Sequence, residues 1–126
     1  MHPKELLYSA DHVWCKKEPD CHIRLGMTYF YQEQLKHLVY LDLPQSGKTL
    51  SKGDIMASFE SSKIASDIIS PISGTIVESH EELANKPGLV NKDPYGQGWM
   101  LLIKPSNLIE LDGMLSAQNY IDLILK

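Results

Sequence analysis

One lysine near the middle of the chain has surroundings that suit acylation of its amine. Lys63 lies between two short segments, residues 55–60 and 64–69, that the sequence predicts to be β-strands. The small polar residues Ser61 and Ser62 precede it and leave the amine accessible. A lysine at the tip of a hairpin holds its amine clear of the protein, where another enzyme can acylate it. Carriers of a swinging cofactor of the lipoamide or biotin kind use a lysine in this way.

Turn-forming residues mark both ends of this predicted hairpin. Gly53-Asp54 precedes the first strand, and Ser70-Pro71-Ile72-Ser73-Gly74 follows the second. Glycine, proline, aspartate and serine are the residues that turns favour. Six acidic residues gather in the same part of the sequence, namely Asp54, Glu60, Asp67, Glu78, Glu81 and Glu82. They form either an ordinary solvated face or a surface that a positively charged partner recognises.

Two cysteines offer a second candidate chemistry. Cys15 and Cys21 flank a five-residue connection that can return a hairpin on itself, so the two thiols could lie across from each other. Structural disulfides are rare in the cytosol. The alternatives are two semi-buried thiols, a redox pair, or thiols that exchange with the disulfide of a cofactor. The spacing matches neither a zinc knuckle nor a thioredoxin-like C-x-x-C motif.

The remaining reactive side chains predict neither a metal site nor a catalytic centre. The five histidines show no H-x3-H or H-E-x-x-H spacing. The sequence contains no nucleophile elbow and no glycine-rich loop that could cradle a phosphate. We therefore expect a protein that is not an enzyme by itself.

Composition narrows the class of protein further. The chain has 126 residues, of which 43% are apolar and 22% charged, as expected for one domain spanning residues 1–126. Its net charge is −4 and it has no cluster of basic residues, which argues against nucleic-acid binding. No apolar run approaches the roughly 20 residues of a membrane span. With no secretory signal visible at the N-terminus, a cytoplasmic location is expected.

Short strands separated by glycine and proline dominate the predicted secondary structure. Besides the hairpin strands, the pattern predicts strands at residues 13–17, 23–27, 37–43, 75–78 and 99–104. It predicts helices at residues 28–35, with Thr28 as N-cap, and at residues 108–115 and 117–125, and a loop at residues 83–95. This combination favours a mainly β sandwich or barrel with short capping helices at the C-terminus.

A set of motifs, taken in order, carries a resemblance to a known family. The chain resembles the H-proteins, the lipoyl carriers of the glycine cleavage system, from about residue 6 to residue 124. The matching segments are Tyr40-Leu41-Asp42-Leu43-Pro44, Gly53-Asp54, Glu60-Ser61, Lys63, Ala65-Ser66-Asp67, Ser70-Pro71-Ile72-Ser73-Gly74, Leu89-Val90-Asn91, Asp93-Pro94-Tyr95-Gly96 and Gly98-Trp99.

The resemblance implies a fold and a cofactor. The fold would be the barrel-sandwich hybrid of lipoyl and biotinyl domains, and lipoate would be held in amide linkage on Lys63. Glu60 would lie near the base of the hairpin, and Ser61, Ser62 and Asp67 would shape recognition by the lipoylating enzyme. Biotin is disfavoured because the lysine of biotin carriers usually lies between two methionines, a pattern absent around this lysine.

The chain departs from the family where the loaded arm would rest. Family members usually read His-Glu-Trp in the first strand, whereas this chain reads His12-Val13-Trp14. The missing glutamate helps to hold the aminomethyl group, a cationic load that needs a carboxylate partner. Tyr29 and Tyr31 replace an acidic residue and a small alanine, and Leu35-Lys36-His37 replaces Leu-Gly-Asp. Asp67 is the one expected acid that remains.

These departures leave more than one cargo open. The main hypothesis is a lipoate-binding protein that carries sulfur intermediates for a heterodisulfide-reductase-like complex in sulfur oxidation. The alternative is the H-protein of glycine cleavage, which passes an aminomethyl group among the glycine cleavage enzymes, including dihydrolipoyl dehydrogenase. A third hypothesis is a dithiol oxidoreductase using Cys15 and Cys21. In the first two, a lipoate–protein ligase or lipoyl transferase is a partner, and the carrier is expected to be a monomer.

Overall fold

The computed structural model describes the whole chain, Met1–Lys126. Its nine strands are β1 (Leu7–Tyr8), β2 (Val13–Lys17), β3 (Ile23–Met27), β4 (Leu38–Asp42), β5 (Thr49–Leu50), β6 (Ile55–Ser61), β7 (Ala65–Ile69), β8 (Gly74–Ser79) and β9 (Leu101–Pro105). Its α-helices are α1 (Tyr29–Leu35), α2 (Glu82–Asn85), α3 (Gly88–Lys92) and α4 (Ala117–Ile124). Two 3₁₀ turns cover Pro19–Cys21 and Leu108–Gly113.

The strands form two antiparallel sheets. The larger sheet has the order β1-β2-β3-β9-β8-β5, and the smaller has the order β4-β6-β7. The predicted hairpin is β6 and β7, and β6 is the central strand of the smaller sheet. The mainly β architecture confirms the predicted class, and α4 is the expected short helix at the C-terminus.

Apolar side chains from both sheets form the main core, a cluster of 21 buried residues. Val13 and Cys15 of β2 point into it, because alternate residues of a strand share a face. Trp14, between them, points to the opposite face and joins a second core of five buried residues. That second core lies beneath α4 and comprises Leu6, Tyr8, Trp14, Ala117 and Tyr120. The first three residues of β2 are therefore buried on both faces of the strand, whereas Lys16 and Lys17 are exposed.

The packing around Trp14 is tight enough to require glycine opposite it. Gly26 pairs with Trp14 across β2 and β3, and a Cβ atom at Gly26 would lie 2.6 Å from the indole ring. The indole Nε1 donates a hydrogen bond to the carbonyl of Pro94 at 3.0 Å. The buried ring thus satisfies its one polar group while it anchors the loop before β9.

Helix α1 begins where the sequence predicts. Thr28 is its N-cap, and the Thr28 hydroxyl accepts a hydrogen bond from the backbone N–H of Tyr31 at 3.2 Å. The helix ends at Leu35, and the carbonyl of its C-cap, Lys36, accepts a hydrogen bond of 2.6 Å from the side-chain amide of Asn91 in α3. The Asn91 carbonyl oxygen in turn accepts from the backbone N–H of Leu38, the first residue of β4. One asparagine therefore joins α1, β4 and α3.

Several predicted elements need correction. Residues 83–95, predicted as a loop, contain most of α2 and all of α3. Helices of four or five residues are too short to show a helical period. The predicted helix at residues 108–115 is a 3₁₀ turn, and the last strand begins at Leu101 instead of residue 99. The two-residue strands β1 and β5 were not predicted at all.

Candidate functional site

The tip of the β6–β7 hairpin consists of Ser62 and Lys63. Its last ladder pair is Glu60 with Ala65, and beyond it the N–H of Ser61 donates to the carbonyl of Ile64 at 2.7 Å. The turn therefore leaves only two residues outside the strand pairing. Lys63 is exposed, and its side chain takes part in no hydrogen bond or salt bridge.

The hydroxyl of Ser61 holds the tip in shape. It accepts hydrogen bonds from the backbone N–H groups of Lys63 and Ile64, both at 3.1 Å, and donates to the Ile64 carbonyl at 3.2 Å. Two acceptor positions and one donor are the full capacity of a hydroxyl. The N–H of Ser62 donates to the carbonyl of His37 at 2.9 Å. The backbone beside Lys63 is therefore fixed, while the Lys63 amine stays free to react.

The strands behind the tip present a polar outer face. Directly paired residues of neighbouring strands share a face. The row of outward-facing residues nearest the tip consists of Tyr40, Glu60 and Ala65. The next row, farther from the tip, consists of Asp42, Ser58 and Asp67. The Ser58 hydroxyl donates to an oxygen of Asp67 at 2.8 Å, which confirms that these two side chains point the same way.

The predicted residues of the hairpin thus divide into two groups. Ser61 and Ser62 lie at the tip with Lys63, whereas Glu60 and Asp67 lie on the outer face behind it. Tyr40 and Asp42 share that face but were not predicted as part of the site. They come from β4, and the pairing of β4 with β6 cannot be read from local sequence patterns.

The two cysteines do not lie across from each other, so the structure favours the alternative of two separate thiols over a redox pair. Cys15 lies opposite Leu25 in the β2–β3 ladder, and Cys21 belongs to the turn beyond its end. Cys15 is buried in the main core and Cys21 is exposed, and both thiols are free. Burial also raises the pKa of the Cys15 thiol well above its usual range, which keeps it protonated. The spacing left a facing arrangement open because it does not reveal the 3₁₀ turn, which offsets Cys21 from the ladder.

Two of the residues that depart from the family motifs, Val13 and Tyr31, lie in the interior near the hairpin, and Tyr31 belongs to an aromatic cluster with His12 and Phe59. Val13 is fully buried, so no side chain at this position reaches the surface in this structure. The Tyr31 ring stacks on the His12 ring with 4.7 Å between centroids, and it meets the ring of Phe59 edge-on at 6.0 Å. Phe59 belongs to β6, four residues before Lys63, or roughly 13 Å along the strand.

A largely buried polar network joins His12 to Tyr120 and Thr28. The Tyr120 hydroxyl is 2.7 Å from His12 Nδ1 and 2.8 Å from the hydroxyl of Thr28. The Tyr120 ring also stacks on that of Tyr8 with 5.0 Å between centroids, so that α4 is held against β1 and β2.

Burial sets the charge state of this network. It raises the pKa of Tyr120 to about 12, so the phenol keeps its proton. It lowers the pKa of His12, although the nearby Asp11 carboxylate acts in the opposite direction. When His12 is neutral and protonated on Nε2, its Nδ1 accepts a hydrogen bond from the Tyr120 hydroxyl, and that hydroxyl accepts one from the Thr28 hydroxyl. Both hydroxyls then donate one hydrogen bond and accept another.

Other kinds of site receive no structural support. No three His, Cys, Asp or Glu side chains lie close enough together to ligate a metal ion. No helix has both the length and the apolar character needed to cross a membrane. The free amine of Lys63, on an ordered tip and without a competing partner, suits covalent attachment of a carboxylic acid such as lipoate.

Comparison with known proteins gives one consistent answer. The family model described as "Glycine cleavage H-protein" matches residues 6–126. A glycine cleavage system H protein of Magnetococcus marinus is 45% identical over 118 residues, which are 94% of this chain and 84% of that protein. Another, from Escherichia coli, is 47% identical over 118 residues, covering 94% of this chain and 92% of its own length.

A solved structure agrees with the fold. The crystal structure of a glycine cleavage system H protein from Mycobacterium marinum superposes with a TM-score of 0.88 and 33% sequence identity. The match covers 98% of this chain and 99% of that chain. The predicted barrel-sandwich fold of lipoyl-type carriers is thereby confirmed.

Proposed function

The chain belongs to the glycine cleavage H-protein family, and from that premise we propose that it carries lipoate on Lys63 and serves glycine cleavage. Proteins of this family are non-catalytic carriers with lipoate attached covalently to a lysine. The observation that carries the assignment to Lys63 is its free amine at the tip of an ordered hairpin, with the neighbouring backbone held by Ser61.

Other lysines have surroundings that suit the role less well. Lys16 lies in the β2 ladder opposite Arg24, and Lys86 forms a salt bridge with Glu82 at 3.6 Å. Lys36 is the C-cap of α1, and Lys92 is the last residue of α3. None of them projects from a two-residue turn between paired strands.

The role of this chain is to present a reactive group, and its residues act before and after attachment. Attachment joins Lys63 Nζ to the carboxyl carbon of an activated lipoate, with loss of a proton from nitrogen and departure of the activating group. The bound lipoate supplies a dithiol–disulfide couple that carries a group between enzymes. The hydrogen bonds of Ser61 fix the backbone of the tip. The strands paired behind the tip hold the hairpin in place when a partner enzyme binds.

The comparisons favour the glycine cleavage alternative over the sulfur-oxidation hypothesis. The relatives described above are glycine cleavage H proteins, and no comparison supports a heterodisulfide-reductase-like partner. The load would be an aminomethyl group, and the partners would be the glycine cleavage enzymes and a lipoate–protein ligase. We further propose that residues 1–126 form one carrier domain that acts as a monomer in the cytoplasm.

Intact mass spectrometry tests the attachment directly. The wild-type protein, treated with a lipoate–protein ligase, ATP and lipoate, should gain the mass of one lipoyl group. Lys63→Arg should gain none, whereas the matched control Lys92→Arg should be modified like the wild type. An adduct on Lys63→Arg would overturn the assignment.

The glycine decarboxylation–CO₂ exchange reaction then tests the pathway. With glycine decarboxylase present, the lipoylated wild type should support exchange, and the unmodified protein should not. A lipoylated protein that is folded but inactive in exchange, beside an active H protein from Escherichia coli, would overturn the glycine cleavage assignment and leave the carrier assignment standing.

A further inference from the structure

The tip has a second support, which comes from the start of β4. The backbone N–H of Ser62, next to Lys63, donates to the carbonyl of His37 at 2.9 Å. This hydrogen bond lies one residue beyond the last pair of the β4–β6 ladder, Leu38 with Ser61. The hydroxyl of Ser61 fixes the shape of the turn, whereas this bond fixes where the turn lies relative to β4.

The peptide group between His37 and Leu38 is held on both of its sides. Its carbonyl accepts from Ser62, and its N–H donates to the side-chain oxygen Oδ1 of Asn91 at 2.9 Å. The chain has no cis peptide bond, so these two partners lie on opposite sides of one rigid plane. A rotation of that plane away from Asn91 therefore also moves the acceptor away from Ser62. Hydrogen bonds linked in this way polarise one another as well.

Asn91 can hold this plane because its own amide is fixed. Its nitrogen donates to the carbonyl of Lys36 at 2.6 Å and to Oε1 of Gln32 at 3.0 Å, which uses both of its N–H groups. Gln32 is 2% exposed, and its amide nitrogen donates to the carbonyl of Tyr29 at 3.0 Å. The Asn91 side chain thus has three partners, and two of them flank His37 along the chain.

The connection between α1 and β4, Lys36–His37, has a conformation that its sequence does not favour. Lys36 has φ 65° and ψ −142°, a combination that glycine tolerates and other residues rarely adopt. Such a conformation persists where surrounding contacts impose it. The hydrogen bond from Asn91 to the Lys36 carbonyl is such a contact, so the connection should relax when Asn91 is replaced.

We propose that Asn91 is a positioning residue for Lys63. It orients the His37–Leu38 peptide group, which holds the N–H of Ser62. Ser62 in turn sets the direction in which the Lys63 side chain leaves the tip. The inference deepens the proposed function and rests on it, since it concerns the same lysine. A tip that is free to swing would present the amine in many orientations, and fewer encounters with an acylating enzyme would be productive.

Backbone NMR of the full-length, unmodified protein tests the inference without any acylation. In Asn91→Ala we expect the amide order parameters of Ser62 and Lys63 to fall from about 0.85 to below about 0.6. Exchange of the Ser62 amide proton with solvent should become about tenfold faster, because its acceptor is no longer held. The order parameters of Glu60 and Ala65, which pair within the β6–β7 ladder, should stay unchanged.

Gln32→Met is the matched control. It removes one partner of Asn91 and the hydrogen bond to the Tyr29 carbonyl, but it leaves both bonds that flank His37. Its Tm should fall, because an N–H and a carbonyl lose their partners. Its tip should keep the order parameters of the wild type. The control therefore separates a general loss of stability from a loss of tip placement.

A further pair of variants serves if Asn91→Ala does not fold. Asn91→Ala/Lys36→Gly places glycine where φ is positive and so removes the backbone strain. The double variant should have a higher Tm than Asn91→Ala, yet its tip should be equally mobile, because nothing replaces the acceptor of the Leu38 N–H. Lys36→Gly alone keeps every hydrogen bond of Asn91 and should leave the tip ordered.

Rates of lipoylation, followed by intact mass, then link the placement of the tip to modification. With a lipoate–protein ligase, kcat/KM for Asn91→Ala should fall roughly three- to fivefold. The value for Gln32→Met should stay within about twofold of the wild type, because its tip is still held.

The outcomes separate the placement of the tip from the chemistry of Lys63. Unchanged order parameters of Ser62 and Lys63 in the folded Asn91 variants overturn the inference, whether or not Lys63 accepts lipoate. Equal loosening of the tip in Gln32→Met also overturns it, because overall stability would then control the tip. A mobile tip that is acylated at the wild-type rate overturns the positioning role. Absence of any adduct on the wild type overturns the proposed function and leaves the NMR result standing.

Discussion

This protein has two polar clusters, the Ser61–Ile64 tip and the network of His12, Thr28 and Tyr120. Their hydrogen bonds serve different purposes. At the tip, one exposed hydroxyl satisfies the backbone and leaves the Lys63 amine without a partner. In the network, each side chain has a partner, Thr28 and Tyr120 are buried, and His12 is half-buried. Reactivity is thus located where a side chain is left free on fixed backbone, and stability where no polar group is left free.

The clusters also differ in sequence range. The hydrogen bonds of Ser61 reach two or three residues along the chain. Those of Tyr120 reach back 92 and 108 residues, to Thr28 and His12. Loss of the first should therefore disturb a local turn, whereas loss of the second should disturb how distant parts of the fold are joined.

The largest stability effect is expected in the network. Thr28→Val keeps the side-chain shape but removes the cap of the Tyr31 N–H and one partner of Tyr120. We expect a loss of about 2–3 kcal/mol in the free energy of unfolding, measured by urea denaturation. The lipoylation rate of the folded variant should stay unchanged. Thr49→Val, at an exposed site, is the control, and an equal loss there would remove the distinction between the two regions.

A smaller effect on stability, but a larger one on modification, is expected at the tip. Ser61→Ala removes all three hydrogen bonds of the hydroxyl, yet the site is exposed and water can replace them. The free energy of unfolding should fall by about 1 kcal/mol or less. Lipoylation should slow several-fold, because the tip loses its fixed geometry. Ser66→Ala, in β7, should change neither quantity, and unaffected lipoylation of Ser61→Ala would show that the tip needs no such support.

The smallest effect concerns pH. The folded-state pKa of His12 lies below its ordinary value of 6.5, so the unfolded chain takes up a proton first as the pH falls. His12 therefore stabilises the fold fully above pH 6.5, and this contribution is lost as the pH drops through the folded-state pKa. His2, whose pKa burial also lowers, acts in the same direction.

The variant His12→Asn isolates the contribution of His12. Asparagine tolerates the positive φ of 70° at this position and does not titrate in this range. Between about pH 7.5 and pH 5, a range that spans the ordinary histidine pKa, the Tm of the wild type should fall further than that of the variant. If the Tm of the two proteins fell equally, the pH dependence would come from groups other than His12.

The sequence predicted well what depends on neighbouring residues. The Lys63 hairpin, the Thr28 cap and most strands follow from turn residues and alternation within short segments. The prediction from sequence failed where segments that are distant along the chain come into contact. The register that brings Tyr40 and Asp42 beside Glu60 and Asp67 depends on the pairing of β4 with β6. The arrangement of the two cysteines stayed open for the same reason, since the number of residues between them says nothing about the 3₁₀ turn that separates a buried thiol from an exposed one.

The side-chain hydrogen bonds of the tip are all local, which matters for protein engineering. Because the hydroxyl of Ser61 forms all its hydrogen bonds within Ser61–Ile64, these four residues encode most of their own geometry. These four residues should adopt the same turn when they are grafted onto another antiparallel hairpin. Such a graft would still need a backbone carbonyl on the adjoining segment to replace that of His37, which accepts the hydrogen bond from the Ser62 N–H.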